Sequence, residues 1–170
     1  MNGFTHLSPK ALPDNLFSRI DDGWMLVTVK DPGTGKLNTM TASWGGTGIL
    51  WNKPVAFVFL RPQRYTFAFA EKAEEMTLSF FEEAYRPALK LCGSVSGREH
   101  DKIAETGLTP VTDGGAAWFA EAELVFRCRK CYAEFLKEDA FFSPEALSMY
   151  AQKDFHKMYI CEITDVLKRI

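Results

Sequence analysis

Three short segments bring together residue types that can do chemistry. The first, Asn38-Thr39-Met40-Thr41-Ala42-Ser43-Trp44, sets small hydroxyls and backbone N–H groups at the end of a strand, just before the glycine cluster Gly45-Gly46-Thr47-Gly48. Donors of this kind suit a heteroaromatic ring with many acceptors, and Trp44 is placed to wall such a ring. The second, Arg61-Pro62-Gln63-Arg64-Tyr65-Thr66, carries two guanidinium groups and a hydroxyl where an apolar strand passes into a helix. Paired arginines and a helix entrance both favour a phosphate. The third, Ser96-Gly97-Arg98-Glu99-His100-Asp101-Lys102, reads as another capped helix start with basic residues.

His156 lies beside Asp154 ahead of the last strand, whereas His6 and His100 sit in unlike contexts. No serine–histidine–acid or cysteine–histidine pairing stands out. An enzyme built from these parts leaves the chemistry to a cofactor and supplies binding and electrostatics. Cys128-Arg129-Lys130-Cys131 has the spacing of a metal or redox motif, but its neighbours alternate apolar and polar as a strand does. Positions three apart on a strand face opposite ways, so the two thiols share no metal unless a bulge intervenes. No second C-x-x-C is present, and no metal site is expected.

The elements that must position these segments are mostly strands. Trp24 to Val29 and Leu37 to Ser43 flank the turn Asp31-Pro32-Gly33-Thr34-Gly35 and predict a hairpin. Pro54 to Leu60 is apolar on both parities, as in a strand covered on both sides. Met76 to Phe80, the long alternating stretch Trp118 to Phe135, and His156 to Val166 add further strands. Short helices are expected from a Thr66 cap to about Ala73, from Glu82 to Leu91, from a Ser96 cap to Glu105, and from Ser143-Pro144-Glu145 to Ala151. Strands without β–α alternation describe a mainly β antiparallel barrel with short helices. No G-x-G-x-x-G or P-loop pattern occurs, which removes the corresponding nucleotide folds.

Composition bounds the reading. The chain has 170 residues, 46% hydrophobic and 25% charged, enough for one domain with its own core; no repeat or linker divides it. Its net charge of −2 argues against a protein that grips nucleic acid or an anionic membrane through net charge. No apolar run is long enough to span a bilayer, and the start Met1-Asn2-Gly3-Phe4-Thr5-His6 has no leader pattern. A cytoplasmic protein with four reduced cysteines is expected. The excess is aromatic, 14% with fourteen Phe, which fits a strand-rich core or a flat ligand.

In order and spacing, the three segments resemble the flavin reductase-like family of FMN-binding split barrels, nearest its flavoredoxin-like branch. Ser96-Gly97-Arg98 with Asp101-Lys102-Ile103 is similar to the family's S-G-x-x-x-D-K-F element, and Asp154-Phe155-His156 with Ile160-Cys161-Glu162-Ile163 to its late D-H and G-E-V strand. The resemblance runs from about Trp24 to Leu167. Departures occur at Arg127, Phe155 and Cys161, where the family usually has an acidic residue, no insertion and Gly.

The resemblance implies a Greek-key-like split barrel that forms a homodimer with FMN near the subunit interface. Thr39, Met40, Thr41, Ala42, Ser43 and Trp44 then contact the isoalloxazine. Arg61, Arg64, Tyr65 and Thr66 hold the phosphate or ribityl chain, Lys102 is a further phosphate candidate, and His156 positions the nicotinamide. The implied activity is NAD(P)H-dependent flavin reduction, with NADH or NADPH as donor. Electrons then pass to free flavin, a metal centre or a redox partner protein. Two other readings stay open at this stage: an FMN-binding carrier or sensor without NAD(P)H activity, and a related split barrel for haem or pyridoxal phosphate.

Overall fold

The computed structural model describes residues 3–170; Met1 and Asn2, part of the start in which no leader was read, lie outside them. Strands β1 (Phe4–Leu7), β2 (Met25–Lys30), β3 (Leu37–Ala42), β4 (Gly45–Leu50), β5 (Lys53–Leu60), β6 (Glu75–Phe80), β9 (Leu124–Phe135) and β10 (Lys157–Arg169) form one antiparallel sheet. A separate hairpin joins β7 (Pro110–Asp113) to β8 (Ala116–Phe119). The helices are α1 (Leu16–Asp21), α2 (Tyr65–Lys72), α3 (Arg86–Ser94), α4 (Lys102–Thr106) and α5 (Pro144–Ser148).

The order β3-β2-β6-β9-β10-β5-β4 puts β3 and β4 at opposite ends of the sheet, and β1 pairs with β10 off that path. Yet only Ser43 and Trp44 separate these two strands in sequence. Three peptide steps reach at most about 11 Å, so the sheet must curl until its two edges nearly meet. The result is a barrel with an open seam between β3 and β4, crossed by Ser43-Trp44. The mainly β split barrel expected from the sequence is present.

Hydrophobic alternation explains the interior. Val27, Val29, Met40, Val58, Leu78, Phe126 and Val166 face one core inside the barrel. A second core, around Leu89, Trp118, Phe119 and Val125, lies where α3 and the β7–β8 hairpin cover the outside. The β2–β3 hairpin forms as expected because the Asp31 carboxylate accepts from the N–H groups of Gly33 and Thr34 at 2.9 and 3.0 Å and so fixes the turn.

Several expected boundaries move. The stretch from Trp118 to Phe135 is two strands: a turn closed by Ala122 N–H donating to Phe119 O breaks it, and β8 pairs with β7 instead. The glycine cluster, given no element by the sequence, opens the edge strand β4. Thr66 does not cap α2, which begins one residue earlier; its hydroxyl accepts from Asn38 Nδ2 at 2.8 Å. Ser96 opens only a turn, and Asp101 caps α4 by accepting from Ala104 N–H. The helix from Glu82 is a 3₁₀ turn followed by α3, which runs through Cys92-Gly93 to Ser94. Ser143 does cap α5, but that helix stops at Ser148.

Cys131 sits on a bulge: Tyr132 opposes Ile160 and Lys130 opposes Cys161, leaving Cys131 unpaired. The thiols still part company, since Cys128 is buried in the core and Cys131 is exposed. Burial pushes the Cys128 thiol well above its usual range, and raises Cys92 to about 11 and Cys161 to about 12. A thiol reagent followed by mass spectrometry should therefore label Cys131 first and the other three far more slowly. Early labelling of Cys128 would contradict its packing. Among the described residues no helix is long and apolar enough to cross a membrane.

Candidate functional site

The seam gathers residues from four places in the chain. A depression of about 210 Å³ is lined by Met40, Thr41, Ala42, Ser43 and Trp44 from β3 and its link to β4. Phe59 and Arg61 from the end of β5, Arg64 from the turn into α2, and His156 from the start of β10 close it. Trp44 is 41% exposed, and its ring centroid lies 5.2 Å from that of His156. The Phe59 ring meets His156 edge-on at 6.3 Å and 88°, and Trp44 tilts 50° to the imidazole, so three rings crowd one side of the seam. The opposite boundary is the β3 edge, which pairs only with β2 and so offers backbone N–H and C=O groups to whatever enters the seam.

Side chains at the segment ends have specific partners. The Thr41 hydroxyl donates to Leu89 O, and the hydroxyls of Thr39 and Thr28 bond each other at 2.9 Å. Both hydroxyls are thus engaged within the protein. Arg61 pairs with Asp154, which also accepts from Gln63 Nε2 at 2.7 Å; the guanidinium further lies 5.1 Å from the centre of the Tyr150 ring. Arg61 thus has a carboxylate of its own.

Arg64 and Lys102 do not. Arg64 donates to Gly93 O at 2.9 Å and to Cys92 O at 3.4 Å; Lys102, buried under α3, donates to Thr39 O and Cys92 O, each at 2.9 Å. The two cations share one carbonyl, and neither forms an ion pair among the described residues. Burial, and then the charge of Arg64, lower the Lys102 ammonium to about 8. Burial also lowers Arg64. Although Glu99 and Asp101 line the depression next to Lys102, no carboxylate pairs with either cation among the described residues, and two desolvated positive charges without such a partner favour an anion.

Lys102 and Thr39 line a second depression, of about 440 Å³, with Asn38, Lys36 and Arg98. Gly97 is required here: a Cβ on it would collide with Asn38 Oδ1, whose amide is held against Thr66, and would press on Tyr65. Tyr65 and Thr66 line neither depression. Thr66 is buried, and Tyr65 packs on Phe69 with Arg98 over its ring at 4.7 Å. The eight other expected site residues meet at the seam, whereas Thr39, Lys102, Tyr65 and Thr66 stand behind or beside it.

Residues the sequence did not single out complete the arrangement. Phe59 read only as part of a buried strand, the carbonyls of Cys92 and Gly93 carry no side-chain signal, and Tyr150 lay in a helical stretch. Tyr150 Oη is 2.8 Å from His156 Nδ1. Burial, and then the charge of Arg61, lower His156 to about 4 against the opposing pull of Asp154, so its imidazole is neutral at neutral pH.

An antiparallel split barrel with an aromatic-lined seam and a cationic pair that has no ion-pair partner among the described residues is a frame suited to a planar ring with an anionic tail. A family model described as a flavin reductase like domain matches residues 17–169, and the chain belongs to that family. A search of curated proteins finds no match. Among solved structures, the chain is similar to the flavoredoxin of Desulfovibrio vulgaris (Miyazaki F), at 25% identity over 85% of this chain and 68% of that one, with a TM-score of 0.66. An FMN-binding domain of a flavin reductases-like enzyme from Shewanella baltica aligns at 17% identity over 99% and 78% of the two chains, TM-score 0.68. The NADH:FAD oxidoreductase of Streptomyces globisporus, solved with NAD and FAD fragments, aligns at 15% identity over 86% and 74%, TM-score 0.63.

Proposed function

We propose that this protein binds FMN in the seam and takes electrons from NADH or NADPH, passing them to free flavin, a metal centre or a partner protein. The observation that supports it best is the pair Arg64 and Lys102, two cations on one carbonyl without a carboxylate, beside a cleft walled by Trp44 and His156. FMN supplies the redox chemistry when bound, as a ring that accepts a hydride and gives up electrons.

The chain's own residues do the rest. Arg64 and Lys102 neutralise the phosphate. The free edge of β3, from Met40 to Ser43, hydrogen-bonds the ring, and Trp44 covers it. Arg61, tied to Asp154, braces the loop before β10 and keeps His156 at the seam. The neutral imidazole offers a polar contact to a ring substituent without adding charge. A second copy is proposed to cover the seam's outer side, because Phe17, Trp44, Ile49 and Trp51 are exposed there around the unpaired edge strand β4.

The test mixes FMN-loaded protein with NADH and with NADPH in a stopped-flow spectrometer. Bleaching of the flavin absorbance is expected, in a particle sedimenting at about 38 kDa, twice the 19.2 kDa chain. Loaded protein that never bleaches would replace the reductase reading with that of an electron carrier. Failure to bind FMN would remove both.

A further inference from the structure

Tyr150 comes from the turn after α5, in the long connection between β9 and β10, and meets His156 six residues later. Its ring is locked: it stacks on Phe155 at 5.0 Å and 24°, packs against Phe141 at 5.6 Å, and lies under the Arg61 guanidinium. The phenol therefore has one accessible orientation, with its oxygen 2.8 Å from His156 Nδ1. Tyr150 and His156 are 7% and 8% exposed, so the direction of this bond has consequences.

Two arrangements of the proton are conceivable. If Nδ1 carried the hydrogen and donated to the phenol, the phenolic hydrogen would need another acceptor, and none among the described residues bonds Tyr150 Oη. An unmade bond of a buried donor costs about 1–3 kcal/mol. If the phenol donates instead, Nδ1 is the acceptor and both groups are satisfied. The nearby Asp154 carboxylate does not compete for the imidazole, because it is held by Arg61 and Gln63. The remaining ring nitrogen, Nε2, has no partner among the described residues, and His156 lines the seam.

We propose that Tyr150 is a positioning residue that donates to His156 Nδ1, so the imidazole carries its hydrogen on Nε2 and presents it to an amide-type carbonyl oxygen of the bound ligand. The role is a hydrogen-bond donor, not a proton acceptor: the lone pair that would take a proton is already occupied by the phenol. The carbonyl is that of the flavin pyrimidine ring or that of a nicotinamide carboxamide. This half rests on the flavin reading above; the tautomer assignment does not.

The experiment uses the full chain labelled with ¹⁵N-histidine, first free of FMN, with His156 assigned by its absence in His156→Asn. Long-range ¹H–¹⁵N spectra are expected to show an imine-type Nδ1 and a pyrrole-type Nε2 in the parent protein. In Tyr150→Phe, which keeps the aromatic stack, the two nitrogens should move towards averaged shifts, and the imidazole should titrate at a higher pH. A pyrrole-type Nδ1 in the parent, or an unchanged His156 pattern in a folded Tyr150→Phe, overturns the assignment. FMN and then oxidised NAD are added next. A shift of the Nε2 hydrogen with FMN alone identifies the flavin carbonyl; a shift only after NAD identifies the carboxamide. No shift in protein whose absorbance shows bound FMN, with NAD at saturation, refutes the donor role. Failure of FMN to bind refutes the flavin reading while leaving the tautomer result intact.

Discussion

Arg64→Ala should weaken FMN by about 1.5–3 kcal/mol, roughly ten- to a hundredfold in Kd, while riboflavin loses far less. The reason is the charge balance at the seam. Arg64 spends its hydrogen bonds on Gly93 and Cys92 carbonyls, so no carboxylate pairs with it or with the buried Lys102 among the described residues. A phosphate dianion would. Arg61→Ala should act differently. Arg61 already pairs with Asp154, so its loss loosens the loop before His156 and affects FMN and riboflavin alike.

Lys102 gives the same prediction a pH dependence. Its ammonium is lowered to about 8, and the phosphate binds the charged form. Affinity for FMN should therefore hold between about pH 7, above the second ionisation of the phosphate, and pH 8, and fall as pH rises through 8, because binding must then take up a proton. In Arg64→Ala the repulsion from Arg64 is gone, so the midpoint of this fall should move to higher pH. Riboflavin should show no such slope. Titrations of FMN and riboflavin on either side of pH 8 decide the matter; equal losses for both ligands would show that no phosphate lies at this pair.

Gly45→Ala should destabilise the fold by about 3 kcal/mol, the sum of a strained backbone and a forced shift. Gly45 opens β4 at φ +151°, a conformation that side chains other than glycine rarely adopt. A Cβ there would lie 2.8 Å from the backbone carbonyl oxygen of Phe57 and 3.3 Å from the Met25 methyl carbon. Since the oxygen belongs to a central strand pair, relief has to come from β4 moving away from β5. Trp44 precedes Gly45, so the seam widens with it and FMN binding should weaken as well. Gly46→Ala is the control, because nothing lies within 4 Å of a Cβ at that position. It should change stability by less than about 0.5 kcal/mol. Denaturant midpoints of the three proteins test this, and similar midpoints for both variants would show that the β4 edge is not constrained.

The sequence by itself determined the parts that local chemistry encodes. The Asp31 turn with its flanking strands, the doubly covered β5, and the segments from Met40 to Trp44 and Arg61 to Arg64 were legible because alternation, turn residues and clustered donors are properties of neighbours in the chain. The family was legible for the same reason, in the order of short motifs. The edge strand β4 was not: Gly45, Gly46 and Gly48 have no apolar periodicity to read, and the strand exists because β5 offers it a ladder. The long strand divided because Ala120 and Ala122 keep the alternation while lacking bulk, and the hairpin β7–β8 offered Trp118 and Phe119 a better core. Tertiary structure alone decided the charges at the seam. Arg61 and Arg64 are three residues apart and look alike in sequence, yet folding brings Asp154 to one and the carbonyls ahead of Ser94 to the other. Which of 20 basic residues finds one of 22 acidic partners depends on how the sheet closes, and that closure left Arg64 and Lys102 without a carboxylate partner among the described residues.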